Sequence, residues 1–145
     1  MEAVRKRAWL TLVVVSFFVG ATAVAGGVGL MTGLTAVPVD WLKGSPFVSY
    51  QVPGLALFGV GVIALLAAVA VLRRHALGAL LTVVAGLLLI GFEIVEIAVM
   101  GLFLDPPLQP VYLALGFLML GLGARLWLLS HRPIQGTSRL ELRLD

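Results

Sequence analysis

Four long apolar stretches, separated by short polar connections, constrain the fold of this 145-residue chain more than any other feature. They cover about residues 8–33, 53–72, 76–104 and 111–130. A run of about 20 apolar residues forms a helix that can cross the hydrocarbon core of a bilayer. Only 12% of the residues are charged, whereas a soluble domain carries about a quarter. The sequence therefore predicts an all-α polytopic membrane protein, with a bundle of four transmembrane helices over residues 1–130.

The basic residues predict how the chain threads through the membrane. Nine of the ten Lys and Arg residues lie near ends that would share one face: Arg5, Lys6, Arg7, Arg73, Arg74, Arg125, Arg132, Arg139 and Arg143. Only Lys43 lies on the other side. Because short cytoplasmic segments carry an excess of Lys and Arg, both termini are expected in the cytoplasm. Residues 131–145 would then form a short cytoplasmic tail.

The aromatic residues and the first span fit the same topology. Trp9 and Trp127 would mark the inner membrane interface, and Trp41, Tyr50 and Tyr112 the outer one. The basic start and first apolar run resemble a signal peptide. The run continues through GGVGLMTGL, however, so a retained first span is expected.

Composition and motifs exclude several classes of function. The chain has no cysteine, which excludes disulfides and Cys-ligated metals. It shows no zinc-ligand spacing, Ser-His-Asp arrangement, phosphate-binding loop or dinucleotide fingerprint. We therefore expect no enzymatic activity, no cofactor and no metal. The net charge of +3 is explained by topology signals, so a nucleic-acid partner is not expected either.

Small residues at a spacing of four predict where helices approach closely. Gly29 and Gly33 form a GxxxG on the first span, and Gly78, Thr82 and Gly86 form a ridge on the third. Gly121 lies on the fourth span, with Gly116 and Gly123 on neighbouring faces. Such residues let helix backbones pack closely in lipid. They could form a homodimer face, but contact among the helices of one chain is the favoured interpretation.

Two acids, Glu93 and Glu96, are the carboxylates within a predicted span. A spacing of three places them on nearly the same side of a helix. Glu93 would lie about 25 Å along the axis from Ala76, in the outer third of the membrane. Because a carboxylate inside the membrane is costly, such residues usually face the bundle interior and have a function.

Three interpretations of the acids remain open. They could share a proton, as in a proton-coupled carrier. They could bind a cation together with Asp40 or Asp105. They could instead pin the outer loop to the bundle, by pairing with Lys43 or by accepting hydrogen bonds. The candidate hydrogen-bond donors are Tyr50, Gln109 and Tyr112.

Several short segments resemble a known group of proteins. DWLKGSPFVSYQVPGL, the basic turn RRH, EIAVMG and LQPVYLALG look like an uncharacterised family of small bacterial four-pass integral membrane proteins. The resemblance covers most of residues 38–120. It implies a four-pass topology and no particular activity. Glu96 matches the acidic position of that family, whereas Glu93 departs from its pattern.

Together these features predict a small accessory or binding protein of the bacterial cytoplasmic (inner) membrane. Its site would be an outer pocket built from the loop 38–52, the two acids and the turn 105–110. The pocket would take a hydrophobic ligand, such as a lipid, or a helix of a partner membrane subunit. The alternative is a small proton- or cation-coupled transporter that uses Glu96 and Glu93, as a homodimer.

Overall fold

The computed structural model describes residues 2–130, and this part of the chain is helical with irregular connections. The helices are α1 (Glu2–Thr32), α2 (Gln51–Leu72), α3 (Gly78–Met100) and α4 (Leu108–Ser130), with a short 3₁₀ helix at Val39–Leu42. Each of the four α-helices is long and apolar enough to cross a membrane. A helix of 23 residues rises about 35 Å, more than the hydrocarbon thickness of a bilayer. The predicted four-helix membrane fold is confirmed, and the predicted tail lies outside the described residues.

The alternating helices give the bundle two chemically different ends. We call the end formed by residues 33–50 and 101–107 the loop end. The opposite end carries the start of α1, the turn between α2 and α3, and the end of α4. We call it the basic end, because its exposed cations are Lys6, Arg7, Arg73, Arg74 and Arg125.

The helix boundaries at the loop end differ from the predicted ones. The third helix ends at Met100 rather than 104, because Gly101 has a φ of 87° that continues no helix. The fourth helix begins at Leu108, so Gln109 and Pro110 belong to its first turn rather than to the preceding connection. A proline in a first turn costs little, because its missing N–H has no partner within the helix.

Helices α1 and α2 pack along a seam of glycines. A Cβ at Gly27 would lie 2.6 Å from the Gly54 carbonyl oxygen, and one at Gly61 would lie 2.6 Å from the Val24 amide nitrogen. Gly20 faces Leu65 equally closely. The two backbones therefore touch, which only glycine permits at these positions.

The predicted GxxxG of α1 is wrong as a helix-packing motif. A Cβ at Gly29 would meet the side chain of Thr35, which belongs to the connection after α1. Gly33 lies beyond the helix with a φ of 73° and has nothing within 4 Å. Its conformation, rather than a close approach, explains the glycine there.

The small-residue ridge of α3 packs within the chain, as the favoured interpretation expected. A Cβ at Gly86 would lie 2.8 Å from the Gly116 carbonyl oxygen, and Gly78 approaches the α2 backbone at Val71. Thr82 is fully buried and donates to the Gly78 carbonyl oxygen at 2.8 Å. On α4, Gly123 faces Thr82 and Val83, whereas Gly121 has nothing within 4 Å.

Close approaches recur at a spacing of seven rather than four. The pairs are Gly20 and Gly27 on α1, Gly54 and Gly61 on α2, and Gly116 and Gly123 on α4. A repeat of seven follows one face of a helix that crosses its neighbour at a small, left-handed angle. The helices thus form two close hairpins, α1–α2 and α3–α4, joined through α2 and α3.

Candidate functional site

The core of the bundle leads directly to the first acid. Leu89 is fully buried in a cluster with Val19, Val60, Ala64, Ala85 and Met119. Glu93 follows Leu89 by four residues, so it lies on the same face of α3, one turn nearer the loop end. Its side chain is only 4% exposed. The predicted inward orientation of Glu93 is therefore confirmed.

The second acid is held by a glutamine from the next helix. The Gln109 side-chain amide donates to Glu96 Oε1 at 3.1 Å and to the Gly101 carbonyl oxygen at 3.2 Å. Its own Oε1 accepts from the Phe103 amide at 2.8 Å. Gln109 is 4% exposed, so these bonds are largely shielded from water. One side chain thereby joins α3, the α3–α4 connection and α4.

The local sequence explains why Gln109 reaches this position. Gly101 ends α3 and turns the chain, and the segment 101–107 runs back without regular structure to the start of α4. Gln109, in the first turn of α4, faces the amide and carbonyl groups that this irregular segment cannot pair by itself. The glutamine thus supplies hydrogen-bond partners to two backbone groups of the connection that are only partly exposed to water.

One oxygen of Glu93 stands apart from this network. Glu93 Oε2 is buried, and no described residue donates a hydrogen bond to it. A buried polar atom without a partner costs about 1–3 kcal/mol by mutational measures. Natural proteins keep few such groups, and each calls for an explanation.

The connection between α1 and α2 covers the same end of the bundle. Tyr50 is buried, and its hydroxyl donates to the Pro38 carbonyl oxygen at 2.9 Å. Burial and the nearby Glu96 carboxylate raise the pKa of the Tyr50 phenol, which keeps it protonated as a donor. The Trp41 ring stacks on Phe103 with centroids 4.9 Å apart. The loop 38–52 is therefore fastened to the α3–α4 connection.

The structure brings together only some of the predicted site residues. Glu93, Glu96, Gln109 and Tyr50 converge at the loop end, and Tyr112 packs half-buried against the central cluster. Asp40 instead pairs with Lys43 at 2.9 Å on the surface, and Asp105 is exposed in the turn. No group of three or more His, Asp or Glu side chains forms a potential metal site among residues 2–130.

Of the partners predicted for the two acids, one is bonded to Glu96, and it belongs to α4 rather than to the loop 38–52. Gln109 is the donor that bonds Glu96, whereas Lys43 pairs with Asp40 rather than with either glutamate. Sequence reasoning missed the acceptor role of the Gly101 carbonyl and the donor role of the Phe103 amide. Only the glycine at 101 gave a signal, since it marks a turn at the end of an apolar helix.

Comparison with known proteins identifies no relative of this chain. No family model, no curated protein and no solved structure matches the chain. The resemblance to a family of small bacterial membrane proteins stays a prediction. Function must therefore be inferred from the chemistry of the described residues.

Proposed function

We propose that this is a non-enzymatic binding protein of the bacterial cytoplasmic membrane, with the basic end in the cytoplasm. The distribution of charge supports this orientation. The cations Lys6, Arg7, Arg73, Arg74 and Arg125 lie at the basic end, and of the described cations only Lys43 lies at the loop end. Such a bias supports the proposal that the loop end faces outward.

The proposed binding site is the polar cluster at the loop end, formed by Glu93, Glu96 and Gln109 beneath the loop 38–52. The observation that carries the proposal is the buried Glu93 Oε2 that no described residue bonds. Gln109 uses both ends of its amide on other partners, so it cannot serve Glu93 as well. A ligand that donates a hydrogen bond would complete the site.

The surroundings define the class of ligand. Glu93 lies one helical turn from Leu89 of the apolar cluster, and Phe92, Tyr112 and Leu115 pack against that cluster. A suitable ligand is an apolar molecule that ends in an amine or a hydroxyl group. Its polar end would bond Glu93, and its apolar part would lie among the helices or in the adjoining lipid.

Native mass spectrometry of the protein, gently extracted from its own membrane, tests this proposal. We expect the wild-type protein to retain a small apolar molecule that a Glu93→Met variant does not retain. A Glu93→Gln variant, which keeps a polar side chain, should retain it more weakly. If a partner subunit is extracted with the protein in a fixed stoichiometry, the site binds a helix of that subunit rather than a small molecule. If the wild type and the Glu93→Met variant are both extracted without a bound molecule or partner subunit, the proposal is contradicted.

A second candidate function is proton- or cation-coupled transport as a dimer. Two neighbouring carboxylates inside one span favour it, since acids within spans often mark ion pathways. Glu96→Gln keeps the acceptor oxygen for Gln109 but removes the charge. If the protein is a transporter, the variant should fold and lose most proton or cation flux in proteoliposomes. Equal, negligible flux for both proteins would reject this candidate.

A further inference from the structure

A cavity lies at the basic end, remote from the loop-end cluster. It is an open cleft with a volume of about 570 Å³, lined by the start of α1, the turn between α2 and α3, and the last turn of α4. This volume falls within the range of about 300–1,000 Å³ that is typical of small-molecule sites. The proposed function does not use it.

The walls of the cavity divide into a basic mouth and an apolar floor. Lys6, Arg74 and His75 line it and are exposed, whereas Val71 and Ala79 line it and are buried. Leu126 and Leu129 of α4 complete the apolar side. Among the described residues that line the cavity, none is acidic.

Arg74 occupies its place at a conformational cost. Its φ is 53°, a left-handed conformation that glycine normally adopts at the end of a helix. The His75 amide bonds the Ala70 carbonyl oxygen at 2.8 Å, and the Arg74 amide bonds that of Val71 at 3.0 Å. These two bonds form a Schellman motif, in which glycine would be the unstrained residue. Strain that persists in a structure commonly marks a functional position.

Trp9 fixes the arginine side chain over the cavity. The indole N–H of Trp9 donates to the Val71 carbonyl oxygen at 2.8 Å, which orients the ring. The Arg74 guanidinium lies over that ring, 5.9 Å from its centroid. A cation above an aromatic face is held by the electron-rich ring. The positive charge is therefore placed at the mouth of the cavity before any ligand arrives.

We propose that this cavity binds an anionic phospholipid from the surrounding leaflet. The phosphate would lie between Lys6 and Arg74, and the first part of an acyl chain would lie along Leu126 and Leu129. The cavity is at the end of membrane-spanning helices, which is the depth of lipid headgroups. A basic mouth above an apolar floor complements such a lipid, whereas a free phosphate would leave the apolar floor unused.

The decisive variant is Arg74→Gly. It removes the charge and at the same time supplies the residue that the left-handed position favours. We expect its thermal midpoint to equal or exceed that of the wild type. In native mass spectrometry of the full chain in maltoside micelles, its affinity for added phosphatidylglycerol should fall about five- to tenfold. Lys6→Gln should cause a similar loss.

Control variants and lipids distinguish binding in this cavity from non-specific attraction of an anionic lipid to a basic protein surface. Arg73→Gln removes the same charge from the neighbouring residue, which does not line the cavity, and should change the affinity less than twofold. Phosphatidylcholine should bind the wild type more weakly than phosphatidylglycerol does. Equal losses for Arg73→Gln and Arg74→Gly would overturn the proposal. So would binding of soluble glycerol phosphate as tight as that of the lipid, or no binding of phosphatidylglycerol to the wild type.

Discussion

Replacing Gly61 by alanine is expected to lower the free energy of unfolding by about 1–3 kcal/mol, because the new methyl group meets backbone rather than a yielding side chain. A Cβ there would lie 2.6 Å from the Val24 amide nitrogen and 2.9 Å from the Gly20 carbonyl oxygen. Relief requires α1 and α2 to move apart along their whole seam. Gly27→Ala, on the opposite side of the seam, should act in the same way.

Gly59→Ala is the matched control for this prediction. Gly59 lies on the same helix, two residues away, and a Cβ there has nothing within 4 Å. Alanine should leave the stability unchanged or raise it by up to about 1 kcal/mol through helix propensity. Reversible unfolding by dodecyl sulfate in maltoside micelles measures both variants. Equal effects at positions 59 and 61 would show that α1 and α2 do not pack as described.

Gln109→Met is expected to destabilise the protein by about 2–4 kcal/mol, since one substitution leaves three partly buried groups without the partner that Gln109 supplies. Methionine keeps the length of the side chain but neither donates nor accepts the three hydrogen bonds. The Phe103 amide, the Gly101 carbonyl and the Glu96 carboxylate would all lose their bonds to Gln109. The loss at Glu96 weighs most, because it concerns an ionisable group. Unfolding in mixed micelles again provides the measurement.

Two further variants test whether the destabilisation comes from the lost hydrogen bonds of Gln109 rather than from the loss of any glutamine. Gln51→Met removes one exposed hydrogen bond, to the Met31 carbonyl oxygen, and should cost less than about 1 kcal/mol. Glu96→Met combined with Gln109→Met should destabilise less than the sum of the single changes, because Glu96 is then no longer left unpaired. Additive effects would mean that Gln109 and Glu96 do not interact.

The sequence predicts the fold well because lipid imposes simple rules. Each span must be helical and apolar, so the run before Arg73 locates the end of α2 almost to the residue. The end of α3 was predicted too late because Leu102, Phe103 and Leu104 are as apolar as the helix before them. Gly101 ends the helix by its conformation, which hydropathy does not register.

The site could be predicted in part. Glu93 and Glu96 stand out because acids within a span are rare, and the helix period places both toward one side. Their partners depend on the path of residues 101–107 and on the start of α4, neither of which has a periodic pattern. Hence the sequence offers Gln109 as one of several candidate donors, and it does not indicate that Lys43 pairs with Asp40.

The cavity at the basic end was not predicted, for a related reason. The sequence pattern explains basic residues at helix ends as topology signals, and this explanation covers Arg73 and Arg74 equally. The structure distinguishes them, since of the two arginines Arg74 has the left-handed backbone conformation and its guanidinium lies over the Trp9 ring. One charge can serve orientation and ligand binding together.

The binding role of Glu93 is tested by the stability of Glu93→Met in ligand-free micelles, relative to the wild type and to Glu93→Gln. If Glu93 is kept for binding rather than for folding, methionine removes a carboxyl group of which one oxygen is buried without a partner. The free energy of unfolding should then rise by about 1–3 kcal/mol. Glutamine, which leaves a polar group in the same place, should bring no such gain. A lower stability for Glu93→Met would show that the carboxyl group holds the bundle together, and would contradict a binding role.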